Sequence, residues 1–265
     1  FIYEKVNTIE EVEKLLNESE ETKILAGGQT LIPTMKQRLA SPSTLIDISD
    51  IDELNFINDN ENSVTIGSAI THHEVSSSDI VINRIPSLAS LAEGIGDPHV
   101  RNMGTIGGSI ANNDPTADYP TACLSLNAKI KTNNREINAE DFFIGLFETA
   151  LEENEIVVSI EFNIPQKSSY MKFPNPASRY AMAGVYVSVF DDAVNVAVTG
   201  ASENGVFKWT EMEEALSNNL SLENAKNIKL SSDGIMSDIH ADSDYRANLV
   251  DIMALRAVEN LIWVI

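Results

Sequence analysis

Apolar positions recur along the chain with two periods, and the points where the period changes mark the predicted elements. Val12, Leu15 and Leu16 form a helical stripe behind Thr8-Ile-Glu-Glu11, whose spacing is that of a capping box. Lys23-Ile-Leu-Ala26 predicts a short strand. After Gly27-Gly28-Gln29-Thr30, apolar residues at 31, 35 and 39 predict a helix that Pro42 ends, and Thr44-Leu-Ile-Asp-Ile48 predicts a second strand. The first ~50 residues thus predict a small βαβ-like unit. Asn55-Phe-Ile57 and Val64-Thr-Ile66 flank the turn-rich residues 58–62 and predict a hairpin. Thr71-His-His-Glu74 predicts another capped helix, and residues 85–95 a helix with Pro86 in its first turn. The segment 104–118, rich in Gly, Asn and Asp, predicts a loop, and 117–126 a helix. Ile156–Phe162 is β-branched and strand-like up to Pro165. The polar stretch 166–169 predicts a boundary. Beyond it, 183–190 and 194–199 predict paired strands around Asp191-Asp192, and Tyr245–Trp263 a long helix. The class is α+β, with a second domain after residue 165.

Charge narrows the partners. Lys and Arg number 18 against 40 Asp and Glu, a formal net charge of −22. Polyanions such as nucleic acid and acidic membranes are disfavoured, and most of this acidity serves solubility. A phosphate-bearing ligand must then be held by local donors. No apolar run approaches the ~20 residues of a membrane helix. The opening Phe1-Ile2-Tyr3-Glu4-Lys5 is not a basic-then-apolar signal segment, so a cytoplasmic protein is expected. The single cysteine, Cys123, excludes an internal disulfide or a thiolate iron–sulfur cluster held by this chain alone. In its apolar run it reads as a buried, inert thiol.

Two segments carry candidate binding chemistry: Ala26-Gly-Gly-Gln-Thr30 and Gly104-Thr-Ile-Gly-Gly-Ser109. Paired glycines permit backbone conformations in which successive N–H groups converge on one anion, and Thr30, Thr105 and Ser109 add hydroxyls. An ordinary turn accounts for either loop alone; the pair points modestly toward a dinucleotide. Neither fits G-x-G-x-x-G, and no G-x-x-x-x-G-K-[ST] occurs, which leaves Rossmann and P-loop binding poorly supported. His72-His73 does not make a metal site, because neighbours on a helix point roughly 100° apart. Surface histidines at a helix N-terminus are expected there. His99, just before Arg101, reads as a neighbour of a bound cofactor or equally as a structural hydrogen-bonding residue, His240 receives no catalytic role, and no Ser-His-Asp or Cys-His constellation can be argued from spacing.

At these residues a family resemblance becomes visible. Leu25-Ala-Gly-Gly-Gln-Thr-Leu-Ile-Pro-Thr-Met-Lys36 with Leu45-Ile-Asp-Ile48 resembles the first FAD motif of the medium subunit of aerobic carbon monoxide dehydrogenase. Asp97-Pro-His-Val-Arg-Asn-Met-Gly-Thr-Ile-Gly-Gly-Ser-Ile110 with Asp114-Pro-Thr-Ala-Asp-Tyr-Pro120 resembles the second, and Ser237-Asp-Ile-His-Ala241 with Asp244-Tyr-Arg246 the C-terminal domain. The resemblance extends to the flavin module of xanthine dehydrogenase. It implies the two-subdomain FAD-binding fold of the vanillyl-alcohol oxidase type, residues 1–53 and 54–165, followed by a C-terminal α+β domain, 166–265.

Carried over by residue, the resemblance implies a first pyrophosphate loop of Ile24, Leu25, Ala26, Gly27, Gly28, Gln29, Thr30 and Leu31. The second would be Thr105, Ile106, Gly107, Gly108 and Ser109. Asp118 would accept a hydrogen bond from a cofactor hydroxyl. Val157 and Lys172 match later flavin contacts, Tyr180 an aromatic beside the isoalloxazine, and Ile95, loosely, an apolar neighbour. Core packing, a solvated charge and interface packing are the plain alternatives for Val157, Lys172 and Tyr180. Gln29-Thr30 stands where several relatives have His-Ser, and Thr keeps the hydroxyl. The implied role is a non-covalent FAD subunit of a molybdenum hydroxylase. It would take electrons from the [2Fe–2S] clusters of an iron–sulfur partner, beside a molybdenum-cofactor partner, and pass them to an external acceptor. A stand-alone FAD oxidoreductase of the same fold, or a subunit that has lost its flavin, are the alternatives; the substrate is not legible.

Overall fold

The computed structural model describes residues 1–263. Val264 and Ile265, the last positions of the expected C-terminal domain, lie outside the described residues. Near the N-terminus β1 (Ile2–Lys5) leads to α1 (Ile9–Glu18), β2 (Thr22–Leu25), α2 (Leu31–Lys36) and β3 (Thr44–Asp47). The strands form a parallel sheet in the order β1-β3-β2. Thr8 caps α1 by accepting from the Glu11 N–H, while the Glu11 carboxylate accepts from the Asn7 N–H. Val12 is thereby turned onto Val6, Ile46 and Ile48. Strand β1 has no counterpart in the sequence reading: all four residues are exposed at a sheet edge and carry no alternation. The helix expected to reach residue 39 ends at Lys36, because Arg38 adopts φ 61° and leaves Leu39 in solvent.

The next unit is built on an antiparallel five-stranded sheet. Strands β4 (Ile57–Asp59) and β5 (Ser63–Gly67) form the expected hairpin, with Ile57 opposite Ile66. Helices α3 (His72–Ser77), α4 (Asp79–Arg84), α5 (Pro86–Glu93), α6 (Pro98–Arg101), α7 (Ile106–Asn112) and α8 (Tyr119–Ser125) follow. Then come β6 (Lys129–Thr132), β7 (Glu136–Asn138), α9 (Ala139–Phe142), the small hairpin β8 (Phe143–Gly145) and β9 (Glu148–Thr149), and β10 (Val157–Asn163). The sheet order is β4-β5-β10-β6-β7, so β10 is central, and Ile160 and Phe162 pack on its helical side. Ile156 and Val158 face the first sheet's core instead, fastening the two units.

Helix α7 corrects the expected loop at 104–118. Thr105 caps it by accepting from the Gly108 N–H at 3.1 Å, and Asn113 ends it in the left-handed conformation, φ 42°. Its helix-poor glycines serve packing: a Cβ on Gly107 would lie 2.4 Å from the Ser68 Cβ. Tertiary contact has overridden local propensity.

The last unit is β11 (Lys167–Pro174), β12 (Ala181–Val189), β13 (Val194–Thr199), β14 (Phe207–Lys208), α10 (Thr210–Asn218), α11 (Leu222–Asn227) and α12 (Ser243–Trp263). The four strands are antiparallel in sequence order. Residues 167–169 of the polar stretch 166–169 open β11. One face of this sheet packs on α12 through Val185 and Val187 of β12 and on α10 through Val196 and Val198 of β13; the other meets α5 and α8 through Tyr186 and Ala197. Covering on both faces explains why β12 and β13 read as near-continuous apolar runs.

Candidate functional site

A cleft of about 650 Å³ lies where the three sheets' connections meet, a volume typical of ligand sites. The first wall is the turn after β2. Gly28 takes φ 68°, and a Cβ on Gly27 would sit 2.0 Å from the Met103 carbonyl oxygen, so only glycine allows the turn to lie against residues 103–104. Among the described residues, the backbone N–H groups of Gly27, Gly28, Gln29, Thr30 and Leu31 find no acceptor in the protein. Unpaired donors at the end of a strand, converging at a glycine turn, form an anion-binding concavity.

The second wall is the start of α7, and its amides are already used. Ile106 N–H donates to Ile70 O, Gly107 N–H to Ser68 O, Gly108 N–H to the Thr105 hydroxyl and Ser109 N–H to Thr105 O. The two glycine loops are therefore not equivalent. The first offers free amides, whereas the second offers a flat, close-packed surface with the Thr105 and Ser109 side chains at the cleft.

Of the residues singled out in the sequence, Ile24, Ala26, Gly27, Gly28, Gln29, Thr30, Leu31, Thr105, Gly107, Gly108, Ser109, Asp118, Val157 and Tyr180 line this one cleft, as does Ile95. Leu25, Ile106 and Lys172 do not. Leu25 packs against Gly28, and Ile106 is fully buried in the helical core. The Lys172 ammonium is 2.9 Å from the Asp118 carboxylate and donates to Gly94 O. It backs Asp118 from behind the wall. Tyr170 also donates its hydroxyl to Asp118. Burial pushes the Asp118 carboxyl up, against the pull of the Lys172 ammonium and the Tyr170 hydroxyl.

Some cleft residues escaped the sequence reading. Glu155 accepts a two-pronged bond from Arg135, with Nε and Nη2 each at 2.9 Å, and one from the Thr132 hydroxyl at 2.6 Å. Together these hold its carboxyl down at about 2. Arg179, beside Tyr180, adopts φ 63°, for which no sequence signal exists. His72, expected at the surface, is 5% exposed and lines the cleft floor. Cys123 is buried as expected, and burial pushes its thiol up. Among the described residues no cluster of three or more His, Cys, Asp or Glu side chains could hold a metal ion, and no helix is long and apolar enough to cross a membrane.

Free amides on one wall, hydroxyls on the other and a buried acid at one end define a cleft for a dinucleotide with a diphosphate bridge. Comparison with known proteins gives the dinucleotide. Residues 1–167 match the family described as the FAD binding domain in molybdopterin dehydrogenase. The chain is 34% identical to the glyceraldehyde dehydrogenase medium chain of Sulfolobus acidocaldarius, over 98% of each chain. It is 31% identical to the carbon monoxide dehydrogenase medium chain of Hydrogenophaga pseudoflava, covering 99% of this chain and 97% of that one. Among solved structures, quinoline 2-oxidoreductase from Pseudomonas putida 86 superposes with a TM-score of 0.91 at 26% identity, covering 98% of this chain and 96% of that chain. The chain belongs to this family of oxidoreductase FAD-binding domains, and its cofactor is FAD. The residues present fit that group, since the amides of Gly27–Leu31 are unspent and the Gly27–Met103 approach keeps their side of the cleft clear of side chains.

Proposed function

We propose that this chain is the FAD-carrying electron-transfer subunit of a molybdenum hydroxylase complex. It would work beside an iron–sulfur subunit with [2Fe–2S] clusters and a subunit with the molybdenum cofactor, and deliver electrons to an external acceptor. The observation that carries the reading is the run of five unpaired amides at Gly27–Leu31 in a chain with one buried cysteine. The chain is equipped to hold a dinucleotide and lacks the thiolates for a cluster of its own. Bound FAD supplies the redox chemistry of one- and two-electron transfer.

The residues divide that work as follows. The Gly27–Leu31 amides bind the diphosphate, neutralising it locally within an acidic chain. Thr30, Thr105 and Ser109 contribute hydroxyls. Asp118 accepts from a cofactor hydroxyl, and Lys172 holds it in place rather than touching the flavin. Val157 and Tyr180 flank the isoalloxazine, and Tyr180, 44% exposed, marks the open mouth. The carbon monoxide, xanthine and nicotine enzymes among the relatives carry chains named medium or FAD-binding subunits, which supports an assembly with partner chains. We place that assembly in the cytoplasm.

The test is to express the chain with and without its partner subunits, record its visible spectrum and identify the cofactor released on denaturation. A yellow chain releasing FAD, and co-purification with iron- and molybdenum-containing chains, is the expected result. A colourless chain that takes up no added FAD sinks the assignment. A yellow chain turning over substrate alone replaces it with a self-contained oxidoreductase.

A further inference from the structure

The floor of the cleft holds a group that neither glycine loop accounts for. His72 is the first residue of α3, directly after the Thr71 cap, and its backbone N–H donates to Gly104 O at 2.9 Å. That bond draws the imidazole under the second loop, where Nε2 would stand 2.7 Å from a Cβ on Gly104. The ring is 5% exposed and lies 5.4 Å from the Tyr119 ring, centre to centre. Its Nδ1 is fully enclosed with no partner among the described residues, and its Nε2 makes no hydrogen bond either, although the residue lines the cleft. Buried imidazoles are ordinarily bonded through at least one nitrogen.

The protonation state follows from the surroundings. Burial, reinforced by the Arg101 charge, lowers the imidazole to about 4, so it is neutral near pH 7. Tyr119, the other titratable group packed on it, is held protonated by burial. A neutral imidazole has one N–H and one lone pair. A buried N–H without an acceptor is the costlier orphan, so the proton belongs on Nε2 and the lone pair on enclosed Nδ1. The outcome is an unused N–H at the cleft floor, beneath the glycine that touches Gly27.

We infer that His72 is a side-chain donor to the bound dinucleotide, its Nε2–H meeting an oxygen acceptor of the cofactor between the two glycine loops. The inference rests on the FAD reading of the cleft. A purely structural role would be met by any flat ring packed at the same tilt against Tyr119, and this separates the two explanations.

The experiment titrates FAD into the apo-chain and follows flavin fluorescence for wild type, His72→Phe and His72→Gln, with the melting temperature of each apo-form recorded alongside. His72→Phe keeps the ring and loses the donor; His72→Gln places an amide N–H near the Nε2 position. The expected result is binding weakened roughly tenfold or more in His72→Phe, with recovery toward wild type in His72→Gln. Equal affinity of wild type and His72→Phe overturns the inference and leaves the FAD reading intact. Failure of wild type to bind FAD overturns both. If His72→Phe does not fold, nitrogen-15 NMR of the wild-type imidazole decides. An Nε2–H tautomer whose shift moves on adding FAD supports the inference, and an Nδ1–H tautomer or an unmoved signal overturns it.

Discussion

At the scale of single residues, the cleft depends on contacts too close for any side chain but hydrogen. Gly27 faces the Met103 carbonyl and Gly104 Cα at distances a methyl group would reduce to 2.0 and 2.6 Å. Both neighbours are backbone and cannot swing aside. Gly27→Ala should therefore destabilise the chain by about 1–3 kcal/mol, the usual cost of overpacking, and lower its FAD content as the loops part. Gly94 is the control: its nearest neighbour to a new Cβ is at 3.4 Å and its φ is −77°. Gly94→Ala should stay within about 0.5 kcal/mol of wild type. Urea unfolding of the two variants, with flavin absorbance per chain, checks the pair. A second residue-scale prediction concerns acid. The His72 imidazole sits at about 4 in the fold against 6.5 in its ordinary state. Above 6.5 neither folded nor unfolded chain protonates it. As pH falls from 6.5 toward 4 only the unfolded chain takes up the proton, so stability declines through that window. Glu155, held at about 2 against 4.5, adds its loss at lower pH, below 4.5. The slope of unfolding free energy between pH 6.5 and 5 should thus flatten in His72→Phe; an unchanged slope there means His72 is not the group responsible.

At the scale of elements, the tie between α8 and β11 runs through Asp118, which pairs with the Lys172 ammonium and accepts from the Tyr170 hydroxyl. Lys172 lies on β11 and Asp118 just before α8, with side chains 10% and 4% exposed. A buried pair adds little net stability over a well-packed apolar pair, but removing one partner strands the other. Lys172→Met should cost about 3–5 kcal/mol. The double variant Asp118→Asn/Lys172→Met should recover a large part of that, and a thermal-melt cycle over the four proteins measures the coupling. Additive losses would mean that the pair does not act as a unit. Elements of this kind also show what a sequence can and cannot carry. Local chemistry was legible: Thr8 and Thr71 cap the helices their spacing announces, Asp191-Asp192 turns β12 into β13, and the motifs resembling FAD loops do converge on one cleft. Features decided by contact between distant segments were not. β1 is a strand because β3 accepts it as a neighbour, and its own four exposed residues give no period. α7 is a helix although Gly107 and Gly108 argue against one, since the glycines answer to Ser68 and Thr105. The capping box placed His72 at a helix start and so at the surface; the Gly104 carbonyl that pulls it inward is thirty-two positions away. Likewise, nothing in the sequence distinguishes the first glycine loop, whose amides are free, from the second, whose amides are spent.

For the whole molecule, the sharpest question is whether the boundary suggested at residues 166–169 is an energetic one. The family match ends at residue 167, in the same place. The packing does not divide there. α8 is buried along its whole length, and much of its cover comes from β12 and β13. Polar bonds cross the same interface between buried residues. Ser125 Oγ meets Ser188 Oγ at 2.9 Å, Asn195 Nδ2 donates to Ser125 O at 2.9 Å, and the Thr199 hydroxyl donates to Ala117 O at 2.7 Å. Cutting after Pro165 would expose Tyr119, Cys123 and Leu124 together with unpaired polar groups, each costing roughly 1–3 kcal/mol when buried without a partner and inviting water when not. Such a fragment, 1–165, should bind a hydrophobic dye, lose sharp melting and hold FAD poorly, because Tyr180 and the Lys172 support of Asp118 leave with the removed part. Cys123 reports on the same point without truncation. At 0% exposure in the intact chain, and with its thiol raised by burial, it should resist a thiol reagent until the protein unfolds. In the fragment it should react at once. A fragment that melts cooperatively, shields Cys123 and binds FAD like the full chain would instead make residues 1–165 a free-standing cofactor domain, with the four-stranded sheet an appendage; the shared core formed by Tyr186 and Ala197 argues that it is a structural wall of the same site.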